Sequence, residues 1–234
     1  TGMGLERMAQ ILQGVSNNYE TDLIFPLVKK ASSLANVDYF KLDETSKISL
    51  KVIGDHSRAL VQLIGDGVTA SNLGRGYILR RLLRRVIRHG RLLGINEPFL
   101  IAMGNEAIDL MKSEYPQLRE RKELILNELQ REEERFLETL DRGEKLLEDL
   151  LAAQPKEITG DQAFELYDTY GFPLELTQEI AGEYSLTVDV TGFDQAMQKQ
   201  RERAKAASTT VDVTVQQSID LAVNEVSNSS FYGF

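Results

Sequence analysis

One segment of this chain concentrates the residues best suited to binding an anion. Between Gly67 and Asn96 the sequence contains no aspartate, glutamate or lysine, yet it contains seven arginines. They are Arg75, Arg80, Arg81, Arg84, Arg85, Arg88 and Arg91. A guanidinium group presents a planar fork of donors that matches two phosphate oxygens, so an arginine stripe without carboxylates is typical of a phosphate-binding surface. The alternative is structural, because the same face could be solvated or paired with the acidic long helix predicted downstream.

Three shorter segments also carry residues that could contact a ligand. TGMGLERM joins glycines to Arg7 at a helix entry, although a glycine turn before a helix is more often a simple cap. FELYDTYGFPLELT places Asp168 between two tyrosines before a Gly-Phe-Pro turn, where a lone aspartate is usually structural. GDHSRAL contains Asp55 and His56, and a buried histidine hydrogen-bonded to its neighbouring carboxylate is favoured there over a metal site. None of these segments identifies a chemistry by itself.

Composition excludes several kinds of chemistry. The 234 residues contain no cysteine and two histidines, which excludes disulfides, thiolate catalysis and the usual zinc-finger ligand sets. No stretch reaches the roughly 20 consecutive apolar residues that span a bilayer, so we expect no membrane partner. The first residues lack the pattern of a signal peptide, which predicts a cytoplasmic location. The net charge of the chain is −9, so the positively charged arginine segment lies within an otherwise acidic chain.

Hydrophobic periodicity predicts a mainly α fold that positions these segments. Apolar residues recur every three or four positions along residues 5–15, 50–68 and 78–93, as expected for helices with one buried face. In the last of these segments the arginines occupy the face opposite the apolar residues. The arginine stripe is therefore predicted to run along one helix.

The second half of the chain is predicted to be a long helix and a smaller helical subdomain. The long helix should extend from about residue 115 to 153, with mixed charges on its solvated face. The subdomain should cover about residues 159–207, and Thr159 with Gln162 has the signature of a capping box. From residue 208 onward Ser, Thr, Val and Asn predominate, which predicts either a linker or the start of a β-containing module with a short β segment. The expected architecture is a helical bundle around the long helix.

Four blocks of the sequence, in this order, resemble the alanyl-tRNA synthetases of bacterial type. The blocks are TGMGLER, DHSRA, DGVTASNLGRGYILRRLLRRVIRHGRLLG and LYDTYGFPLELT. The third block is highly specific, and the resemblance covers essentially the whole chain. It implies that residues 1–13 are the end of the class II aminoacylation domain and that residues 14–207 are the helical middle domain that recognises tRNA. Residues 208–234 would be a linker and the start of the editing domain, which FYGF resembles.

The resemblance implies roles for individual residues. TGMGLER resembles motif 3 of class II synthetases, in which Arg7 would contact the ATP phosphates while Gly2 and Gly4 shape the turn. The family's middle domain reads a G·U wobble pair in the tRNA acceptor stem, and the residues implied to contact that pair are Asn72 and Asp168. In the wide minor groove of A-form RNA, the wobble pair leaves the guanine 2-amino group without a pairing partner. A carboxylate only accepts, so Asp168 suits that amino group, and the amide of Asn72 suits the uracil.

The resemblance also implies partners and cofactors. The arginines would hold the RNA backbone without reading its sequence. Those assigned to this role are Arg75, Arg80, Arg81, Arg84, Arg85 and Arg88. The implied partners are the acceptor stem of tRNA-Ala, alanine and ATP, and ATP with Mg²⁺ would serve the parent alanine-tRNA ligase. The family's zinc belongs to an editing domain that would follow Phe234, so no cofactor is expected on this chain.

Two expectations limit what this chain does alone. Motifs 1 and 2 of the aminoacylation domain would lie before Thr1, so the chain by itself should neither activate alanine nor edit. A free-standing helical RNA-binding module is one alternative, and a protein-interaction module that uses the long helix for coiled-coil pairing is another. The apolar spacing of that helix drifts toward 3.6 residues and Gly143 interrupts it, which favours packing within the domain.

Overall fold

The computed structural model describes residues 2–72, 74–152 and 156–203, and helices account for most of them. The α-helices are α1 (Leu5–Gln13), α2 (Phe25–Leu34), α3 (Glu44–Gly65), α4 (Gly74–Leu92), α5 (Leu100–Met111), α6 (Gln117–Glu120), α7 (Lys122–Ala152), α8 (Gly160–Asp168) and α9 (Leu174–Glu183), followed by α10 (residues 190–203). Short 3₁₀ helices cover Asn18–Glu20 and Tyr39–Lys41. The strands β1 (Glu157–Ile158) and β2 (Thr187–Val188) form a small parallel sheet. The prediction of a mainly α fold is confirmed.

The main core lies between α2, α3, α4, α5 and α7, which pack against one another. Each helix contributes apolar side chains at intervals of three or four residues, so that one face of each is removed from water. The largest fully buried side chains include Leu27, Leu50, Ile53, Leu60, Ile64, Leu79, Leu83, Ile87, Leu100, Met103 and Phe136. Burying a side chain of this size contributes about 1.5–3 kcal/mol. The apolar stripe of α7 is buried within the protein, as its spacing indicated.

The long helix begins later than predicted. It starts at Lys122 instead of near residue 115, and α6 precedes it. Between the two helices Arg121 has φ −96° and ψ 12°, outside the α-helical region, and its Nη1 donates to the carbonyl oxygen of Gly65 at 2.5 Å. Leu118 of α6 is 1% exposed beside the same end of α3. Contacts with α3 therefore create this corner, and periodicity within the segment does not reveal them.

Helices α8, α9 and α10 form the smaller subdomain, together with the two-stranded sheet. The predicted capping box is present: the N–H of Gln162 donates to Oγ1 of Thr159, and the N–H of Thr159 donates to Oε1 of Gln162. Asp189 starts α10, since its carboxylate accepts from the N–H of Gly192 at 2.9 Å. The linker and β segment predicted from residue 208 onward lie outside the described residues.

A buried carboxylate joins α7 to the start of α5. Glu133 is 1% exposed, and its carboxylate accepts from the N–H groups of Phe99 (2.9 Å) and Leu100 (3.1 Å). Burial raises the pKa of Glu133 from its ordinary 4.5 to about 7, although the two N–H donors act in the opposite direction. In the folded state Glu133 therefore keeps its proton to a higher pH than an exposed glutamate does.

The Glu133 carboxyl should make the free energy of unfolding depend on pH. Because its folded-state pKa is raised, its stabilising contribution is fully present below about pH 4.5 and is lost as the pH rises through about 7. Glu133→Gln should remove this component, and urea unfolding at about pH 5 and about pH 8 would measure it. Glu138→Gln changes an exposed glutamate of the same helix and should keep the wild-type pH dependence. An unaltered pH dependence in Glu133→Gln would contradict this prediction.

Candidate functional site

Asn72 and Asp168 lie far apart in the sequence but line the same cavity, which has a volume of about 260 Å³. Asn72 belongs to the loop before α4, and Asp168 is the last residue of α8. Both side chains are exposed. The other residues around this cleft are Tyr77, Arg80, Arg84, Arg135, Thr139, Tyr167, Thr169, Tyr170, Gly171 and Pro173. The fold thus brings together the two residues that the resemblance assigns to base-pair recognition.

The wall that carries Asn72 is held by α4 and α7. The guanidinium of Arg80 donates to Oδ1 of Asn72. Its Nε also donates to Oε2 of Glu132 on α7 at 3.0 Å. One turn earlier on α7, Oε1 of Glu128 accepts from the N–H of Ala70 at 3.1 Å. Two glutamates of one helix therefore support the loop that ends at Asn72.

The wall that carries Asp168 is held by side chains from three helices. Gly171 has φ 74°, in the left-handed region that glycine adopts without strain, and there the chain turns from α8 toward α9. Arg84 of α4 donates to the carbonyl oxygen of Gly171, and Oγ1 of Thr139 on α7 donates to the carbonyl oxygen of Tyr170 at 2.9 Å. From α10, Nε2 of Gln200 donates to Oδ1 of Asp168.

Arg84 is half-buried, lines the cleft and has no ion pair with any described residue. Its guanidinium carbon lies 5.1 Å from the ring centroid of Phe136, a cation–π arrangement. Burial, with a smaller contribution from Arg80, lowers the pKa of Arg84 to about 10. The side chain therefore remains protonated at neutral pH.

Three arginines of the stripe form ion pairs with α9. The pairs are Arg81 with Glu175 (2.9 Å), Arg85 with Glu179 (3.3 Å) and Arg88 with Glu183 (2.8 Å), each distance joining a guanidinium nitrogen to a carboxylate oxygen. The hydroxyl of Tyr77 also donates to Glu175 at 2.6 Å, and burial together with this hydrogen bond raises the pKa of Tyr77. This pairing within the chain is the structural alternative given above for the arginine stripe. The expected partner was the long helix, whereas these three glutamates belong to α9. The spacing of four residues between the three glutamates is the sequence signal that could have revealed α9 as the partner.

The remaining arginines of the stripe differ in their surroundings. Arg80 pairs with Glu132 as described, and Arg91 lies 3.2 Å from Asp141 (Nη2 to Oδ1), so both have partners on α7. Arg75 is exposed in the first turn of α4, and its side chain has no ion pair with any described residue. Among the predicted backbone contacts, Arg75 and Arg84 have no ion pair with a described residue, and of these two only Arg75 is exposed.

The glycine turn and GDHSRAL lie outside this cleft. Gly2 and Gly4 precede α1, Gly4 has φ 81°, and the Arg7 side chain is exposed. In GDHSRAL, Nδ1 of His56 lies 3.2 Å from Oδ2 of Asp55, the neighbouring carboxylate, as expected, but the histidine is half-buried and not buried. The described residues contain no cluster of three or more histidine, aspartate or glutamate side chains placed to hold a metal ion.

Sequence reasoning missed several side chains that support the cleft. They are Glu128, Glu132, Thr139 and Gln200. Each is an ordinary polar residue on a helix, and its partner lies more than thirty positions away in the sequence. The sequence pattern contains no local signal for such contacts. Only the packing of α4, α7, α8 and α10 shows them.

Comparisons with known proteins agree with the resemblance. A family model described as tRNA synthetases class II (A) matches residues 1–234. The alanine-tRNA ligases of Synechococcus sp. (strain WH7803) and Prochlorococcus marinus (strain MIT 9211) are each 70% identical to this chain over 234 residues, and that of Synechococcus sp. (strain RCC307) is 69% identical. All of this chain is covered, but it spans only 26% of the length of these relatives. Within the described residues, no helix combines the length and apolar character needed to cross a membrane.

Proposed function

This chain belongs to the class II (A) family of tRNA synthetases, and from that premise we propose that it is the part of an alanine-tRNA ligase that binds the tRNA-Ala acceptor stem and reads its G·U pair. The observation that carries this proposal is the convergence of Asn72 and Asp168 on one cleft. The whole ligase would attach alanine to tRNA-Ala with ATP. In it, this domain would select and orient the acceptor end and would make no bond itself.

Complementary hydrogen bonding explains how the cleft would read a wobble pair. In a G·C pair the guanine 2-amino group is already bonded to cytosine, whereas in G·U it is free in the minor groove. Gln200 donates to one oxygen of Asp168, which leaves the other oxygen to accept from that amino group. Arg80 donates to Oδ1 of Asn72, so the amide nitrogen of Asn72 is the group that would donate to the uracil.

The arginine stripe would hold the RNA backbone, and the structure favours some of its members over others. The proposed set remains Arg75, Arg80, Arg81, Arg84, Arg85 and Arg88. Where a glutamate of α9 already pairs with an arginine, a phosphate would have to compete with that carboxylate. Arg75 has no such competitor in the described part of the chain, and it lies in the first turn of α4, directly after the loop that contains Asn72. We therefore place the main backbone contact at Arg75.

Arg75→Ala should weaken binding to every acceptor stem by a similar factor. A phosphate contact carries no sequence information, so the preference for G·U should stay unchanged while the salt dependence falls by about one counterion. Binding titrations at several salt concentrations would measure both quantities. Arg119→Ala, which removes an exposed arginine of α6, serves as the control and should keep the wild-type slope. An unchanged slope in Arg75→Ala would remove this residue from the proposed interface.

The glycine turn at the start of the chain fits a contact with ATP. Arg7 is exposed and forms no ion pair with the described residues, and the positive φ of Gly4 shapes the turn that precedes it. We propose that Arg7 contacts the ATP phosphates in the whole ligase, with Gly2 and Gly4 forming the turn. ATP, bound with Mg²⁺, would supply the energy for activating alanine. This chain spans 26% of the length of its relatives. We therefore assign the rest of the ATP and alanine sites to the other parts of the ligase.

A binding titration of this chain tests the proposal. Two acceptor-stem minihelices would be compared that differ only at the third base pair of the stem, the position implied for the G·U pair, with G·U in one and G·C in the other. We expect salt-sensitive binding with tighter binding of the G·U stem. Equal affinity for both stems would contradict base-pair reading by these residues, and absence of binding would favour a non-catalytic protein-interaction module.

A further inference from the structure

Both walls of the cleft rest on the same face of α7. Glu128, Glu132, Phe136 and Thr139 follow one another at helical spacing, so they lie along one side of the helix. Glu128 accepts from the N–H of Ala70 on the Asn72 side, and Thr139 donates to the carbonyl oxygen of Tyr170 on the Asp168 side. One face of α7 therefore contacts both walls of the cleft.

Glu132 is the most buried charged side chain on this face of α7. It is 4% exposed, and two nitrogens of Arg80 reach its two carboxylate oxygens: Nε to Oε2 at 3.0 Å and Nη2 to Oε1 at 3.4 Å. The remaining terminal nitrogen of the same guanidinium, Nη1, donates to Oδ1 of Asn72. Since the guanidinium is planar, holding two of its nitrogens on Glu132 determines the direction in which the third one points.

We infer that Glu132 is a positioning residue, which orients the amide of Asn72 through Arg80 without contacting RNA itself. The inference rests on the proposed reading of the G·U pair. Because Arg80 bonds Oδ1 of Asn72, the amide nitrogen of Asn72 faces the other way and is presented to the ligand. Without the Glu132 carboxylate, Arg80 would turn toward solvent or an RNA phosphate, and the Asn72 side chain would lose its preferred orientation.

Glu132→Gln tests this inference with little change in volume. We expect the preference of the chain for a G·U over a G·C minihelix to fall at least about fivefold, while the affinity for the G·C stem stays within about twofold. Glu138→Gln, on an exposed face of the same helix, should keep the wild-type preference. Arg80→Lys keeps a positive charge beside Glu132 but cannot reach both partners with a planar fork, so it should lower the preference to the same extent.

A double variant shows whether the effect passes through Asn72. If it does, Asn72→Ala and Asn72→Ala combined with Glu132→Gln should have the same residual preference. An additional loss in the double variant would overturn the inference, as would a wild-type preference in both Glu132→Gln and Arg80→Lys. Equal weakening of binding to both stems would likewise overturn it, because that is the result of a purely structural role.

Nuclear magnetic resonance of the free chain separates this inference from the proposed function. The side-chain amide signal of Asn72 should shift in Glu132→Gln and stay in place in Glu138→Gln, whether or not the chain reads G·U. If Asn72→Ala leaves the preference for G·U unchanged, the proposed reading by Asn72 fails, while a shifted amide signal still shows positioning. If the signal does not move in Glu132→Gln, the positioning role itself is wrong.

Discussion

Asp168→Ala is expected to lower the preference of this chain for a G·U over a G·C acceptor stem about 5- to 150-fold, equivalent to about 1–3 kcal/mol. The reason is chemical: in the proposed function the carboxylate would accept from the one donor that distinguishes the two pairs, the unpaired guanine 2-amino group. Asn72→Ala should lower the preference in the same range, since it removes the donor to the uracil. Because both residues line one cleft, the two contacts would be made to the same base pair.

Competition titrations with the two minihelices would measure this loss. Glu165→Ala removes an exposed carboxylate from the same helix, α8, and should keep the wild-type preference, which separates base reading from a general change in charge. An equal loss of affinity for both stems in Asp168→Ala would contradict the assignment. In that case the role of the carboxylate would be structural, through its hydrogen bond with Gln200.

Gly76→Ala is expected to destabilise the chain by about 1–3 kcal/mol, although alanine is normally the better helix residue. A Cβ at this position would lie closer than 3.0 Å to two backbone atoms, the carbonyl oxygen of Thr69 and the amide nitrogen of Ser71. Backbone cannot move aside as a flexible side chain can, so the loop before α4 would have to shift. Because that loop ends at Asn72, the preference for G·U should fall together with stability.

Gly182→Ala provides the matched comparison. Gly182 also lies within a helix, α9, but no atom lies within 4 Å of the position that its Cβ would occupy. Alanine should therefore raise the free energy of unfolding there by about 0.5–1 kcal/mol. Urea unfolding of both variants would check the opposite signs. If Gly76→Ala were as stable as Gly182→Ala, the close approach of α4 to this loop would be wrong.

Much of the architecture follows from local pattern. Apolar residues at intervals of three or four predicted α3, α4 and α7, and the Thr159 capping box was predicted from its two residue types. The predicted start of the long helix was wrong, because the corner at Arg121 depends on a hydrogen bond to Gly65 of α3. Propensity within a segment cannot contain that information. It arises only when two distant segments pack.

The charges of the arginine stripe also depend partly on local pattern and partly on packing between distant segments. Its composition indicated an anion-binding surface, and that pattern is a property of one helix. Whether each guanidinium is free depends on what packs against it, and α9 supplies glutamates opposite Arg81, Arg85 and Arg88. A charge paired in this way is partly neutralised before any ligand arrives.

Residue types and their local spacing were therefore enough to predict a mainly helical chain. The candidate readers Asn72 and Asp168 came instead from the resemblance of four sequence blocks to a known family. The packing of α4, α7, α8 and α10 decided that these two side chains share one cleft, which charges face them and which supports hold them. The physical reason is the range of the interactions. Helical periodicity is set by neighbours within a turn, whereas a binding cleft is set by contacts between residues that only the folded core brings together.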